Sequence, residues 1–243
     1  MALLVDTLAM MAMVVGNYAR VITDSLMPSG TPHDVPTPPV LMCDHGHRYT
    51  TEILSLSPLM IYINDFVKED ERLYLLNIGN DSYDGRLFVQ DPLEDGKSPR
   101  SGHLPKSDPI VACTPWLAKY EPSQKVHPHL DPPADFMLDS QGLPYNWLTS
   151  FFVYLDASGS GGETYFPLIK ALPADDYRED ARFSLTNTDM GIAIRPVPGN
   201  AVFWVNIYPN GTRDEATVHA GVTLESGTKT GMNIWAKQYK WPF

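Results

Sequence analysis

The stretch KVHPHLDPP, residues 125–133, sets two histidines and an aspartate within five positions. Imidazole and carboxylate at that density are a donor set for a divalent metal. In a strand, residues two apart project from the same face, so His129 and Asp131 point together and His127 shares their side. Periodicity alone therefore leaves the two histidines open. A tight pair of ligands is easiest to build from neighbours on one face, which favours His129 with Asp131. His127 is then expected to line the site or to hold a bond behind it. Pro132 and Pro133 stop the strand directly after the carboxylate.

Two ligands do not complete a site. In a β-rich chain the third comes most readily from a later, adjacent strand, and His219 sits in EATVHAGVTL, a strand-like segment followed by a turn. Two histidines and one carboxylate make the facial set that binds Fe(II) and leaves coordination positions open. An open zinc site uses the same ligand types. H-x-D by itself arises easily by chance, so the residues around it carry the weight. Lys229 follows His219 by ten residues in HAGVTLESGTKTGMNIW, and Trp235 lies six further on. On a surface that lysine is an ordinary solvated charge; beside a metal it needs an anion. A dicarboxylate that chelates the metal at one end would supply one, its far carboxylate held by a charge-assisted pair. Tyr120, nine residues before His129 in KYEPSQKVHPHLD, has a hydroxyl that could share that carboxylate.

The elements that must position these groups read as β. The chain has 243 residues, 43% of them hydrophobic and 11% aromatic, enough for a real core. Its 22 prolines and 17 glycines, set among short apolar runs, favour loop-rich strands over a helical bundle. SPLMIYINDF reads as a strand and KEDERLYLLNIG as a helix, acidic in its first turn and stopped by Gly79. From Trp116 onward come TSFFVYLD, the glycine-rich turn ASGSGG, ETYFP, GIAIRPV, AVFWVNI and KTGMNIWAKQYK. Many short strands without helices between them predict antiparallel sheets closed as a sandwich, jelly roll or barrel.

The rest of the chain bounds the function. A formal net charge of -11 repels phosphate backbones, so no nucleic-acid partner is expected. Cys43 and Cys113 are too few for a zinc-finger framework and could form one disulfide or stay reduced. The sequons at Asn80 and Asn210 matter only in a secretory setting. Residues 1–20 are apolar, yet they lack a basic start and carry Asp6. Signal peptide, membrane segment and amphipathic helix all remain open for them. Residues 28–39, PSGTPHDVPTPP, read as an extended linker. This divides the chain into a segment 1–39 and one domain, 40–243, with its β core at about 116–238.

KYEPSQKVHPHLD, GGETYFP, GNAVFWVNI and HAGVTLESGTK, in this order and spacing, resemble the prolyl 4-hydroxylase branch of the Fe(II)- and 2-oxoglutarate-dependent dioxygenases. The resemblance is close from Trp116 to Lys237, and PLMIYINDFVKEDERLYLL matches the family's N-terminal strand and helix more loosely. It implies a double-stranded β-helix of jelly-roll, cupin-like form with iron at one open end. It implies iron ligands at His129, Asp131 and His219. Lys229 would pair with the far carboxylate of 2-oxoglutarate, assisted by Tyr120, with Thr164 of the GGET turn nearby. Trp235 is expected to pack beside the site rather than to bind. Arg100, in SPRSGHL, resembles an arginine on a substrate-facing loop.

The implied activity is hydroxylation of an unactivated C–H bond, with 2-oxoglutarate and O2 consumed, succinate and carbon dioxide released, and ascorbate as reductant. The expected substrate is peptidyl proline in an extended conformation, docked on aromatic residues among Tyr145, Trp147, Tyr165 and Trp241. A small-molecule or free amino-acid substrate is the alternative, as is a non-catalytic short form acting as a binding protein. The resemblance favours the endoplasmic reticulum and secretory route over the cytoplasm. One departure stands out: only residues 106–116 remain for the whole segment between the RSG loop and the tyrosine strand, where the family carries a helix, and an ordinary helix takes about 10 to 14 residues by itself, before any connections.

Overall fold

Short runs that alternate apolar and polar side chains, broken by glycine and proline, build antiparallel strands with one face turned inward. The computed structural model of the protein describes residues 46–79, 85–86, 100–103, 115–139, 141–170, 181–185 and 191–240. The expectations for residues 1–39, for Cys43, Cys113, the sequon at Asn80 and Trp241, and for the shortened stretch 106–114 lie outside these residues. Contacts within the chain divide it into residues 1–48 with 105–111, and residues 49–104 with 112–243. In the first unit only residues 46–48 are described, and they form a turn and irregular backbone. The second unit carries the regular elements.

In chain order these are β1 (Thr50–Leu56), β2 (Leu59–Asn64), helix α1 (Glu69–Gly79), β3 (Gly85–Arg86), β4 (Arg100–His103) and β5 (Trp116–Tyr120). Next come β6 (Val126–His129), β7 (Met137–Leu138), β8 (Pro144–Ala157), β9 (Ser160–Gly161), β10 (Thr164–Phe166), β11 (Phe183–Leu185), β12 (Ile192–Ile194) and β13 (Ala201–Val205). A 3-10 turn (Glu215–Thr217) precedes β14 (His219–Gly221), β15 (Leu224–Ser226) and β16 (Lys229–Tyr239).

A nine-stranded sheet runs β1-β2-β13-β8-β16-β5-β4-β3, with β7 beside β8. A five-stranded sheet runs β11-β12-β10-β14-β6, and β15 pairs with β9. The chain crosses repeatedly from one large sheet to the other, and the fold is a double-stranded β-helix, mainly β as the sequence predicts.

Alternation along β8 assigns the two faces of the large sheet. Phe152 and Tyr154 face the second sheet and pack with Tyr62, Trp204, Phe166 and Ile194 in one buried cluster. Phe151, out of phase with them, stacks on Phe66 at 5.8 Å and meets Phe203 at a tilt, 4.5 Å away. Helix α1 is tied to β8 by Arg72, whose Nη1 donates to the Leu155 carbonyl at 2.7 Å. The acidic first turn of α1 meets the positive end of the helix, and the Lys68 N–H donates to Glu71 at 3.0 Å, closing its first turn.

Three local differences from the sequence expectation have simple causes. β1 lacks clean alternation because it is the edge of the sheet, with Ile53 and Leu56 exposed. β8 is 14 residues long, well beyond TSFFVYLD, because the 11-residue β16 pairs along almost its full length. EATVHAGVTL begins as a 3-10 turn rather than a strand, since the Asp214 carboxylate accepts from the Ala216 N–H at 3.0 Å and caps it.

Candidate metal centre and anion pocket

Strands β6 and β14 are neighbours in the five-stranded sheet, and His129 stands directly opposite His219. Opposed residues in an antiparallel pair lie about 5 Å apart at Cβ, so the register alone brings two imidazoles together. Their ring centroids are 4.3 Å apart. Asp131 lies just past the end of β6, in a bend rather than in the strand. Its Oδ1 is 3.7 Å from Nε2 of both histidines. One ligand atom from each of the three residues lies within 4.8 Å of the others. His127 is outside this cluster.

Backbone carbonyls fix the tautomers. Nδ1 of His129 lies 2.8 Å from the His127 carbonyl, and Nδ1 of His219 lies 3.0 Å from the Thr217 carbonyl. A carbonyl only accepts, so Nδ1 carries the proton in both rings and each Nε2 presents a lone pair to the centre. His127 thus serves the site through its backbone carbonyl. His219 is also held by Phe166, stacked at 5.2 Å, and by Trp204 at 4.9 Å. Burial pulls the pKa of His219 down to about 4, against the pull of Asp131, so the ring is neutral near pH 7. His129 is at the rim, 42% exposed, where His219 is 8% exposed.

The other end of the same pocket is a buried cation. Lys229 is the first residue of β16, faces Tyr120 across the ladder to β5, and is fully buried. Its Nζ donates to the Gly162 carbonyl at 2.6 Å and lies 4.6 Å from the Tyr120 ring centroid and 5.1 Å from that of Phe152. Among the described residues no carboxylate reaches it within ion-pair distance. Burial depresses its pKa to about 7, with Glu163 opposing the shift. Burial pushes the Tyr120 and Tyr154 phenols the other way, so both stay protonated donors.

Thr164 is buried at the start of β10, and its Oγ1 accepts from the Tyr154 hydroxyl at 3.0 Å. That bond leaves the threonine proton free to point elsewhere. His129, His219, Thr164, Tyr120 and Lys229 all line one cavity, with Asn233 in its wall. Two glycines are required here. A Cβ on Gly231 would lie 2.1 Å from Cζ of Phe152, so only glycine lets that ring cross β16 into the pocket wall. Gly162 has φ +75°, which turns its carbonyl toward Lys229.

The substrate residues expected from sequence scatter. Arg100 is in strand β4, at the register position opposite Lys119, not on a loop. Tyr165 alternates with Thr164 and so faces away from the pocket, toward Gly191. Trp147 stacks on Trp235 at 5.6 Å and 27°, and Trp235 meets Trp116 at 6.4 Å. Tyr145 and Tyr239 extend the same strip. Trp235 shares the face of Asn233 on β16, so the strip begins at the pocket wall. Sequence reasoning missed Tyr154, Phe152 and Asn233. The first two were legible as the inward phase of TSFFVYLD; nothing local marked Asn233.

A double-stranded β-helix with a His–Asp–His cluster facing a buried lysine defines a class: a jelly-roll fold whose pocket sets candidate metal ligands against a buried cation. No family model matches the chain. It is 27% identical over 216 residues to prolyl 4-hydroxylase 1 of Arabidopsis thaliana, covering 77% of this chain and 71% of that protein. It is 32% identical over 122 residues to prolyl 4-hydroxylase subunit alpha-2 of Gallus gallus, which is 49% of this chain but 18% of that protein. Among solved structures, viral collagen prolyl hydroxylase of Paramecium Bursaria Chlorella virus-1, in its 2OG complex, shares the fold. The TM-score is 0.50 at 20% identity, over 73% of this chain and 95% of that one. The chain is prolyl 4-hydroxylase-like in sequence and in fold.

Proposed function

We propose that this protein is an Fe(II)- and 2-oxoglutarate-dependent dioxygenase that hydroxylates peptidyl proline. One observation carries the reading: a fully buried lysine, with no carboxylate partner among the described residues, faces a His–Asp–His cluster across a single pocket. The donor set fits Fe(II), with two imidazoles, one carboxylate and room on the remaining side. The far end fits a carboxylate, with an ammonium and two hydroxyl donors and no competing acid within ion-pair distance among the described residues. A dicarboxylic keto acid satisfies both ends at once.

When bound, iron and 2-oxoglutarate supply the oxidising chemistry, in which one atom of O2 enters succinate and the other enters the substrate C–H bond, with loss of carbon dioxide. The chain's own residues position and shield that chemistry. His129, Asp131 and His219 hold the metal. Lys229, Tyr120 and Thr164 hold the far carboxylate, and Tyr154 orients Thr164. Phe152 walls the pocket against water. The strip of Trp235, Trp147 and Tyr145 suits an extended proline-rich segment, since proline rings pack on aromatic faces. Ascorbate is assigned as the reductant that keeps the iron ferrous. The relatives named prolyl 4-hydroxylase favour peptidyl proline over a free amino acid.

The test is an anaerobic titration of the full chain with Fe(II) and 2-oxoglutarate, followed by visible absorption. The expected result is the charge-transfer band of a chelated keto acid, then succinate release with proline-rich peptides. A folded protein that takes up iron but never develops the band would remove the cosubstrate assignment.

A further inference from the structure

Asp131 has two carboxylate oxygens, and the fold treats them differently. Oδ1 faces both histidines at 3.7 Å. Oδ2 accepts a short hydrogen bond from Ser150 Oγ. Ser150 lies in the middle of β8, in the other large sheet, and is fully buried. Its Oγ in turn accepts from Nδ2 of Asn206 at 2.8 Å. Asn206 is fully buried too, fixed by backbone bonds from its own N–H to the Leu148 carbonyl and from the Asp214 N–H to its carbonyl.

The chain of bonds has a direction. A serine hydroxyl has one proton. Because the Asn206 amide donates to Ser150, that proton is free to go to Asp131. With the amide turned over, Ser150 would face an acceptor on each side and could satisfy only one. The observed order Asn206 to Ser150 to Asp131 satisfies the serine and the carboxylate, and the buried atom it leaves without a hydrogen-bond partner among the described residues is Asn206 Oδ1, at the far end of this chain of bonds from Asp131. The oxygen on which it ends is the one turned away from the histidines.

We propose that Asn206 and Ser150 are positioning residues that hold Asp131 as a one-oxygen ligand, keeping Oδ2 off the metal. This rests on the metal site under Proposed function. A carboxylate that binds through both oxygens would occupy an extra coordination position. That would leave too few for a two-point chelate plus O2. The relay therefore reserves an open position without touching metal or substrate. It also joins the loop after β6 to β8, so the metal end of one sheet is set by the other.

The test uses the full chain and Co(II) alone, without 2-oxoglutarate, read by visible absorption and by equilibrium affinity. Losing the hydrogen bond behind a metal ligand is expected to weaken Co(II) binding about 10- to 100-fold in Ser150→Ala, with altered Co(II) bands as Oδ2 comes free. Ser150→Thr, which keeps the hydroxyl, should return affinity to within about threefold and restore the bands. Asn206→Asp should weaken binding at least as much as Ser150→Ala, because a second acceptor captures the serine proton. It provides the reading if the alanine variant does not fold.

Ser150→Ala with wild-type affinity and bands, alongside a wild type that binds Co(II), would overturn the relay alone. Failure of the wild type to bind Co(II) any better than His219→Ala would overturn the metal site and the relay together.

Discussion

At the histidine end of the pocket both imidazoles and the carboxylate are tied to fixed partners elsewhere in the chain: two backbone carbonyls and a buried serine. At the lysine end, a fully buried ammonium donates to one backbone carbonyl and meets no acid among the described residues. One end is preorganised; the other holds its charge in an unfavourable, buried setting. A metal can bind the first with little rearrangement, since the lone pairs already converge. The second contributes nothing to stability in the free protein, because burial opposes its charge. Its depressed pKa records that cost.

The largest expected effects break the preorganised end. His219→Ala removes the ligand packed between Phe166 and Trp204 and should abolish Fe(II) binding, as should His129→Ala at the rim. His127→Ala should leave iron bound, because that residue serves through its carbonyl, which alanine keeps. Equilibrium iron binding of the three variants decides the ligand register, and loss of metal in His127→Ala would reverse it.

The lysine end comes next. Lys229→Ala should spare metal affinity and raise the 2-oxoglutarate requirement about 10- to 100-fold, the worth of a charge-assisted bond. Apparent affinities for iron and for 2-oxoglutarate, measured separately, test the division of labour. Equal losses in both would mean that the two ends are not independent.

The smallest effects are in pH, and their signs oppose. In the free protein Lys229 titrates near 7, against about 10.5 in the unfolded chain, so between these values the unfolded chain binds more protons. The stability of the free protein should therefore rise from pH 7 toward 10. Affinity for a dicarboxylate should fall over the same range, because binding needs the ammonium. Thermal melts and 2-oxoglutarate titrations between pH 6 and 9 test both, and Lys229→Met should flatten both. A wild-type melting temperature as flat from pH 7 to 9 as that of Lys229→Met would show that Lys229 keeps its proton across this range and would overturn the prediction.

Much of the fold was legible because its signals are local. The period of TSFFVYLD, AVFWVNI and KTGMNIWAKQYK requires strands with one inward face, and the turns between them hold the glycines that such turns need. The acidic start and Gly79 stop of α1 are equally local. β1 was not legible, since an edge strand has no two-sided burial to impose alternation. The strand position of Arg100 and the outward face of Tyr165 were not legible for a related reason: strand pairing and register depend on neighbouring strands, which spacing along the chain does not contain.

The site divides the same way. Residue types and order in KVHPHLDPP, HAGVTLESGTK and KYEPSQ determined which chemistry is available: imidazole, carboxylate, a lysine and a phenol. Tertiary structure decided how it is arranged. Cross-strand register set His129 against His219, and carbonyls two residues back chose their tautomers. Sheet closure buried Lys229 and brought Ser150 and Asn206 behind Asp131. The physical reason is range. Strand period, turn and cap chemistry act over a few residues. Burial, pKa and ligand convergence arise only when distant strands exclude water from the same small volume.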